Sequence, residues 1–338
     1  MSNLVHDRVR LIVTLIGVVF AVVLITIQIG LFLGFASTTS NLIDHAGADL
    51  WIMAPGTRDV DQVAAISESR LYDALTVPGV QEASRFDVSF ADFKKPNGGT
   101  QSVLVVGFDP DVGLGAPWHV VAGNVKALRF PNTIMVDELY RQKLGITHIG
   151  QTVEIDGRRA EVVGFTRGIR SFTQSPYVFA STRTAVRYSR MRADQTKYVL
   201  VKVAPRADAA TVQADLARRL PDVEVLTTDE FRHSTQFYWM FTTGAGLALL
   251  VAAVVGLAVG IVVVSQTLYA ATVDHLAEYG TLRAMGAGNR YIQGVIIQQA
   301  VISGIVGYGL ALLFTRDLLQ MIGDWGPAIL LPWLMLAG

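Results

Sequence analysis

Hydrophobic and polar positions divide this chain into two kinds of material. Leu11 to Phe35 carries no Asp, Glu, Lys or Arg, and neither does Phe241 to Val273 or Tyr291 to Thr315. About 20 apolar residues suffice to cross roughly 30 Å of hydrocarbon. The three runs therefore predict transmembrane helices over residues 11–35, 241–271 and 292–314. A secretory signal has an apolar region of only about 7–15 residues before a small-residue cleavage site, so the first run reads as a retained span. The second run exceeds what crossing needs and predicts an extension beyond the bilayer on the inner side. Residues 325–338 are apolar but short, which predicts a partial fourth span, with Arg316, Asp317 and Asp324 marking an outer loop before it. Arg8 and Arg10 place the N-terminal segment, residues 1–10, in the cytoplasm by the positive-inside tendency, and the cluster Phe231, Phe237, Tyr238, Trp239 and Phe241 reads as an interfacial aromatic belt. Gly30 with Gly34, and Gly256 with Gly260, have the small-xxx-small spacing that lets helices approach closely, within one chain or between two.

Residues 36–236 alternate instead between short apolar strands and Pro- or Gly-bearing turns, and hold most of the charge. Strands are predicted at residues 49–53, 80–93, 101–108, 133–136, 152–155, 159–166, 177–180, 197–203 and 223–226, with turn signals at Pro96-Asn97-Gly98-Gly99 and Asp156-Gly157. Residues 39–48, 67–75 and 209–220 predict helices, the second with Leu71 and Leu75 on one face, the third with Val212, Leu216 and Leu220. Helix–strand modules at both ends flank a strand-rich middle. The expected fold is an α-helical transmembrane bundle, three clear spans plus a short or incomplete fourth, with a large extracytoplasmic α+β domain of two subdomains. The β-rich one is inserted at about 105–196.

Between the second and third spans lies a short elbow, Thr272 to Tyr291, reading TVDHLAEYGTLRAMGAGNRY. It predicts a helix over much of residues 272–290, ended by Gly286-Ala287-Gly288. Val273, Leu276, Ala277, Gly280 and Ala284 share one apolar face; Tyr279, Leu282 and Met285 form a second, flanked by Glu278 and Arg283. Two apolar stripes suggest two surfaces to touch, the bundle and a partner. An ordinary interfacial turn between spans has the same periodicity.

Composition narrows the function classes. The chain has 338 residues, 51% hydrophobic and 17% charged, with zero formal net charge and no Cys. Nothing argues for a nucleic-acid surface, and thiolate chemistry and disulfides are excluded. The six His form no H-x-x-H or H-E-x-x-H pair, no G-x-S-x-G elbow occurs, and there is no G-x-x-x-x-G-K-[ST] loop to cradle a nucleotide. Asp109 and Asp111 read as a solvated turn rather than a metal site. No metal, cofactor or catalytic constellation is expected: this is a non-catalytic chain.

One span, a large outer domain, then closely spaced spans joined by E-Y-G-T-L-R-A-M-G-A resembles the FtsX/MacB-type permeases of ABC transporters. Glu278, Tyr279, Gly280, Leu282, Arg283, Gly286 and Ala287 match that family's E-[IY]-G-x-L-[RK]-A-[ML]-G-A pattern, and the opening of the outer domain, GADLWIMAPGT from Gly47, is similar to the DevC-like branch. The resemblance implies four spans, a periplasmic MacB-like core domain, a homodimer in the inner membrane, and a separate ATPase subunit that binds the ATP and Mg. It implies that the elbow is the coupling helix, with Asp274, His275, Glu278, Tyr279, Leu282 and Arg283 docking on that ATPase and Gly286 and Gly288 as its hinge. It also implies ATP-driven mechanical work delivered to the outer domain. Efflux with a periplasmic adaptor and an outer-membrane channel is the expected use; lipoprotein or lipid extraction, and signalling to a cell-wall hydrolase without transport, are the alternatives.

Overall fold

The computed structural model describes residues 8–171, 175–189, 191–274 and 276–322. The expected partial fourth span at 325–338, Asp324, His275 and most of the N-terminal segment lie outside them. Helices are α1 (Arg8–Thr39), α2 (Asn41–Asp44), α3 (Ser69–Leu75), α4 (Arg141–Leu144), α5 (Thr182–Ala185), α6 (Ala209–Arg219), α7 (Thr228–Phe237), α8 (Ala245–Asp274), α9 (Leu276–Ala284) and α10 (Asn289–Ile322). Strands are β1 (Leu50–Met53), β2 (Ile66–Ser67), β3 (Val80–Lys94), β4 (Thr100–Phe108), β5 (Val120–Gly123), β6 (Thr133–Asp137), β7 (Thr152–Ile155), β8 (Arg158–Thr166), β9 (Tyr177–Ser181), β10 (Gln195–Thr196), β11 (Tyr198–Val203) and β12 (Glu224–Thr227). They fall into two compact units. One is Phe35–Ala245; the other comprises the described residues up to Gly34 and from Gly246 onward.

In the first unit ten strands form a mixed sheet in the order β12-β1-β11-β3-β4-β9-β6-β8-β5, with β7 pairing β3 and β8 off that path. Side chains alternate across a strand, and β1 shows the consequence. Leu50 and Ile52 pack with Val212 and Leu216 of α6 and Ala74 of α3. Trp51 and Met53 enter a second cluster with Phe86, Tyr198, Leu42 and Phe231. Every residue of β1 is buried, and the strand lies between β12 and β11, second in the sheet order. Asp49 fixes its start, its carboxylate accepting from the Lys202 Nζ at 2.9 Å and the Val203 N–H at 2.8 Å. Helix starts are capped as well. Asp208 accepts from the Thr211 N–H ahead of α6, and Thr227 with Glu230 makes a reciprocal capping box on α7.

β3 runs unbroken from pairing with β11 over residues 80–86 to pairing with β4 over 87–94. Two expectations for this unit change. Leu75 is 47% exposed, and Ala74 takes its place inside. Phe231, assigned to an interfacial belt, is fully buried against Trp51 in α7; Phe237 and Phe241 remain exposed as a ring pair 5.2 Å apart.

In the second unit two helices are long and apolar enough to cross a membrane among the described residues, Ile16–Thr39 within α1 and Ala245–Asp274. Glycines set their approach. A Cβ at Gly260 would lie 2.6 Å from Ile25 Cδ1, one at Gly256 3.0 Å from Gln28 Cγ, and one at Gly307 of α10 2.5 Å from Val18 Cγ1. The Gly256/Gly260 pair therefore faces α1 of the same chain; Gly30 and Gly34 are buried on α1. Gly260→Leu should lower the melting temperature of the detergent-solubilised chain, since overpacking costs about 1–3 kcal/mol; a scanning-calorimetry trace identical to the parent's would contradict this contact. Arg316 and Asp317, read as an outer loop, instead lie within α10, which continues to Ile322.

Candidate functional site

The elbow is built by a helix that stops for a definable reason. α9 ends where the Ala287 N–H donates to the Leu282 carbonyl and the Gly286 N–H to the Arg283 carbonyl, both at 3.0 Å. This pair of bonds is the Schellman closure, which needs a left-handed residue at the turn. Gly286 supplies it with φ +96°, a conformation that costs side-chain-bearing residues roughly 1–2 kcal/mol. The Gly288 carbonyl then accepts from the Tyr291 and Ile292 N–H groups and starts α10. Glu278 in the first turn of α9 and Arg283 in the last complement the helix dipole.

The two apolar stripes take opposite roles. Tyr279 is 8% exposed, and Leu282 beside it is half-buried. Tyr279, expected at a docking surface, is covered by its own chain. The other stripe points outward: Leu276 is 57% exposed, Val273 41%, and Ala277, Gly280 and Ala284 are exposed with them. Asp274, Glu278 and Arg283 are exposed as well, and Met285 is 76% exposed. A Cβ at Gly280 would meet open space, as it would at Gly288. Gly280 therefore leaves a flat place on the outward face where another backbone can come close. Leu276 and Gly280 belong to this surface and were absent from the site expected on sequence grounds; the signal for them was the Val273–Ala284 stripe itself, whereas Met285, exposed too, comes from the other stripe.

The first unit offers little, among its described residues, that could react. Among the described residues no three His, Asp or Glu side chains gather to hold a metal. His45 stacks on Trp118 with ring centroids 4.2 Å apart, and Asp109 caps its own turn by accepting from the Asp111 N–H at 2.9 Å. The unusual group is Asp61. Both its carboxylate oxygens are buried without a hydrogen-bond partner among the described residues. Burial, reinforced by the nearby Asp59 charge and opposed by Lys197, pushes its pKa up to about 7. The folded state thus holds a proton that the unfolded chain releases near 3.8. Stability is unaffected at acid pH, falls as pH rises from about 4 to 7, and stays lowered above, by on the order of 4 kcal/mol. Asp61→Asn should raise the melting temperature at pH 8 and leave it nearly unchanged at pH 4; an equal shift at both would show that ionisation is not the cause.

Comparison with known proteins decides the family. The MacB-like periplasmic core domain matches residues 11–219, and the FtsX-like permease C-terminal matches residues 250–337. The chain belongs to the FtsX/MacB family of ABC transporter permeases. The permease is 23% identical over 318 residues to the uncharacterized ABC transporter permease Rv0072 of Mycobacterium tuberculosis, covering 89% of this chain and 81% of that one. A counterpart in a second strain of that organism matches equally. Among solved structures, the periplasmic region of MacB from Actinobacillus actinomycetemcomitans aligns at 13% identity and TM-score 0.43, covering 57% of this chain and 94% of that one. The extracellular domain of YknZ from Gram-positive bacteria aligns at 14% identity and TM-score 0.41, covering 53% and 98%. A permease family with a periplasmic domain, together with the apolar helices, indicates an inner-membrane protein, and the family implies an ATPase partner.

Proposed function

We propose that this permease is a mechanotransmitter. A separate ATPase subunit closes on ATP, the elbow receives the movement, and α8 passes it on to the periplasmic domain. The observation that supports this most is the outward face of α9: Leu276, Gly280 and Ala284 with Glu278 and Arg283, all exposed on a short helix between two long ones, and Asp274 exposed at the end of α8. An exposed apolar stripe rimmed by charge is what a docking groove recognises. On this reading Asp274, His275, Glu278, Leu282 and Arg283 contact the ATPase or support the contact. Gly286 and Gly288 are the hinge, and the membrane topology puts the N-terminus and the elbow inside and residues 36–236 outside. The working unit is a homodimer, with a third span in α10, a fourth beyond it, and ATP and Mg held by the partner.

Efflux assisted by a periplasmic adaptor and an outer-membrane channel is the use we assign, in the manner of the DevC-like branch. Scarce intramembrane charge supports substrate handling outside the membrane or at its outer leaflet, because ion and proton pathways carry ionisable groups within spans. Affinity purification of the full chain from its host membranes should bring down an ABC ATPase and a membrane-fusion adaptor. Recovery of the ATPase with a lipoprotein chaperone or an amidase activator in place of the adaptor would replace efflux by extraction or signalling.

A further inference from the structure

The segment that joins β1 to β2 has no helix or strand of its own, yet its middle lies inside the domain: Thr57, Asp59, Val60 and Asp61 are all buried. Each end is fixed. The Gly56 N–H donates to Glu224 Oε2 at 2.9 Å, and β2 pairs Ile66 with Thr196 of β10. Between these anchors the segment is a strap held onto β11. The Tyr198 hydroxyl donates to the Asp59 carbonyl at 3.2 Å and the Val60 carbonyl at 3.0 Å. Val60 enters the core cluster that contains Trp51 and Phe86.

Asp61 sits badly in this strap. It is 4% exposed, and neither of its carboxylate oxygens has a hydrogen-bond partner among the described residues. Its neighbour is provided for: Asp59 Oδ1 accepts from the Asp61 and Gln62 N–H groups, both at 2.9 Å. A buried carboxylate with no donor aimed at it is held as the neutral acid, because the ion would lose its hydration and gain nothing in return.

The groups that face Asp61 do not rescue its charge. Asp59, on the same segment, repels it, and Lys197, between β10 and β11, attracts it. Lys197 is shared, however, among Asp59, Asp61 and Asp87 of β3, and Asp87 has Arg85 Nη2 3.9 Å away as well. Tyr177 of β9 and Tyr198 of β11 complete the surroundings, and burial raises the pKa of both hydroxyls, so they stay protonated.

We infer that the strap is a pH-operated latch, closed on Tyr198 while Asp61 is neutral and released from β11 when Asp61 gives its proton to solvent. In the released strap Asp61 is hydrated and has its ordinary pKa of 3.8; in the closed one it titrates at about 7. The balance between the two is therefore independent of pH below about 4. It moves toward release by roughly tenfold per pH unit from there to about 7, and levels off above. The anchors at Gly56 and Ile66 keep the opening local, since the residues between them leave while β1 and β2 stay paired. On the topology proposed above, the latch reads the acidity of the outer compartment; its operation does not depend on the coupling role assigned to the elbow.

The test is amide hydrogen exchange of the full chain in nanodiscs, read by mass spectrometry from pH 5 to pH 8, with each rate divided by the intrinsic rate at that pH. Protection of residues 57–65 should fall at least tenfold across this range, while residues 100–108 of β4 hold theirs. Asp61→Asn should remove the pH dependence of residues 57–65. Tyr198→Phe, which keeps the ring and loses the hydroxyl, should lower protection of the strap at every pH and leave the slope in place. Three results would overturn the latch: protection of residues 57–65 that does not change with pH in the parent chain; a slope that persists in Asp61→Asn; or an equal fall in residues 57–65 and 100–108, which would mean that ionisation loosens the whole domain rather than the strap.

Discussion

Arg283→Asp should reduce ATP hydrolysis by the assembled transporter to the level of the isolated ATPase, while the outer domain keeps its near-ultraviolet circular dichroism. Arg283 is exposed on the last turn of α9, on the side not covered by its own chain. Reversing its charge replaces an attraction with a repulsion, and like-charge juxtaposition at an interface costs several kcal/mol. At about 1.4 kcal/mol per factor of ten, that is at least a tenfold loss of affinity. An acid there also opposes the helix dipole by about 0.3–1 kcal/mol, so fraying is a competing cause. Leu276→Asp separates the two. Leu276 opens the same helix and is 57% exposed, and an acid at a helix start is favourable. Both variants should lose coupling. If only Arg283→Asp loses it, helix stability rather than docking is responsible. Tyr279→Phe, inside the chain, should leave coupling intact.

The second large effect is expected at Trp51. Its ring is fully buried and meets Phe86, Tyr198 and Phe231 at centroid distances of 5.6, 5.4 and 5.2 Å. Its indole N–H donates to Thr228 Oγ1 at 3.2 Å, and that hydroxyl donates to the Ala48 carbonyl. Trp51→Ala removes the centre of this cluster and one hydrogen bond to the Thr228 hydroxyl. Such truncations cost about 3–5 kcal/mol, against a total domain stability of roughly 5–15 kcal/mol. For a unit of this size the melting temperature should fall on the order of 10 °C, and the periplasmic region should become protease-sensitive in membranes. A shift no larger than that of Arg218→Ala on the surface of α6 would show that the core is organised elsewhere.

Much of the outer domain was legible because strands alternate in burial and turns announce themselves. Asp156-Gly157 and the Pro96–Gly99 turn each join strands that the structure pairs. Two features were not legible, each for a tertiary reason. Phe231 read as interfacial because composition does not say that a capped helix, α7, turns that ring onto Trp51. On α9, periodicity predicted two apolar stripes but could not tell which one the chain covers; Tyr279 rather than Leu276 is inside.

Where the elbow lies with respect to the bilayer tests the central claim most directly. The chain has no Cys, so single cysteines can be introduced without background. Gly280→Cys occupies open space on the outward face of α9, and Arg218→Cys is exposed on the outer domain. A membrane-impermeant maleimide should label Arg218→Cys in right-side-out vesicles and Gly280→Cys only in inverted ones. Labelling of both from the same side would put the elbow beside the periplasmic domain, out of reach of a cytoplasmic ATPase, and would contradict the account.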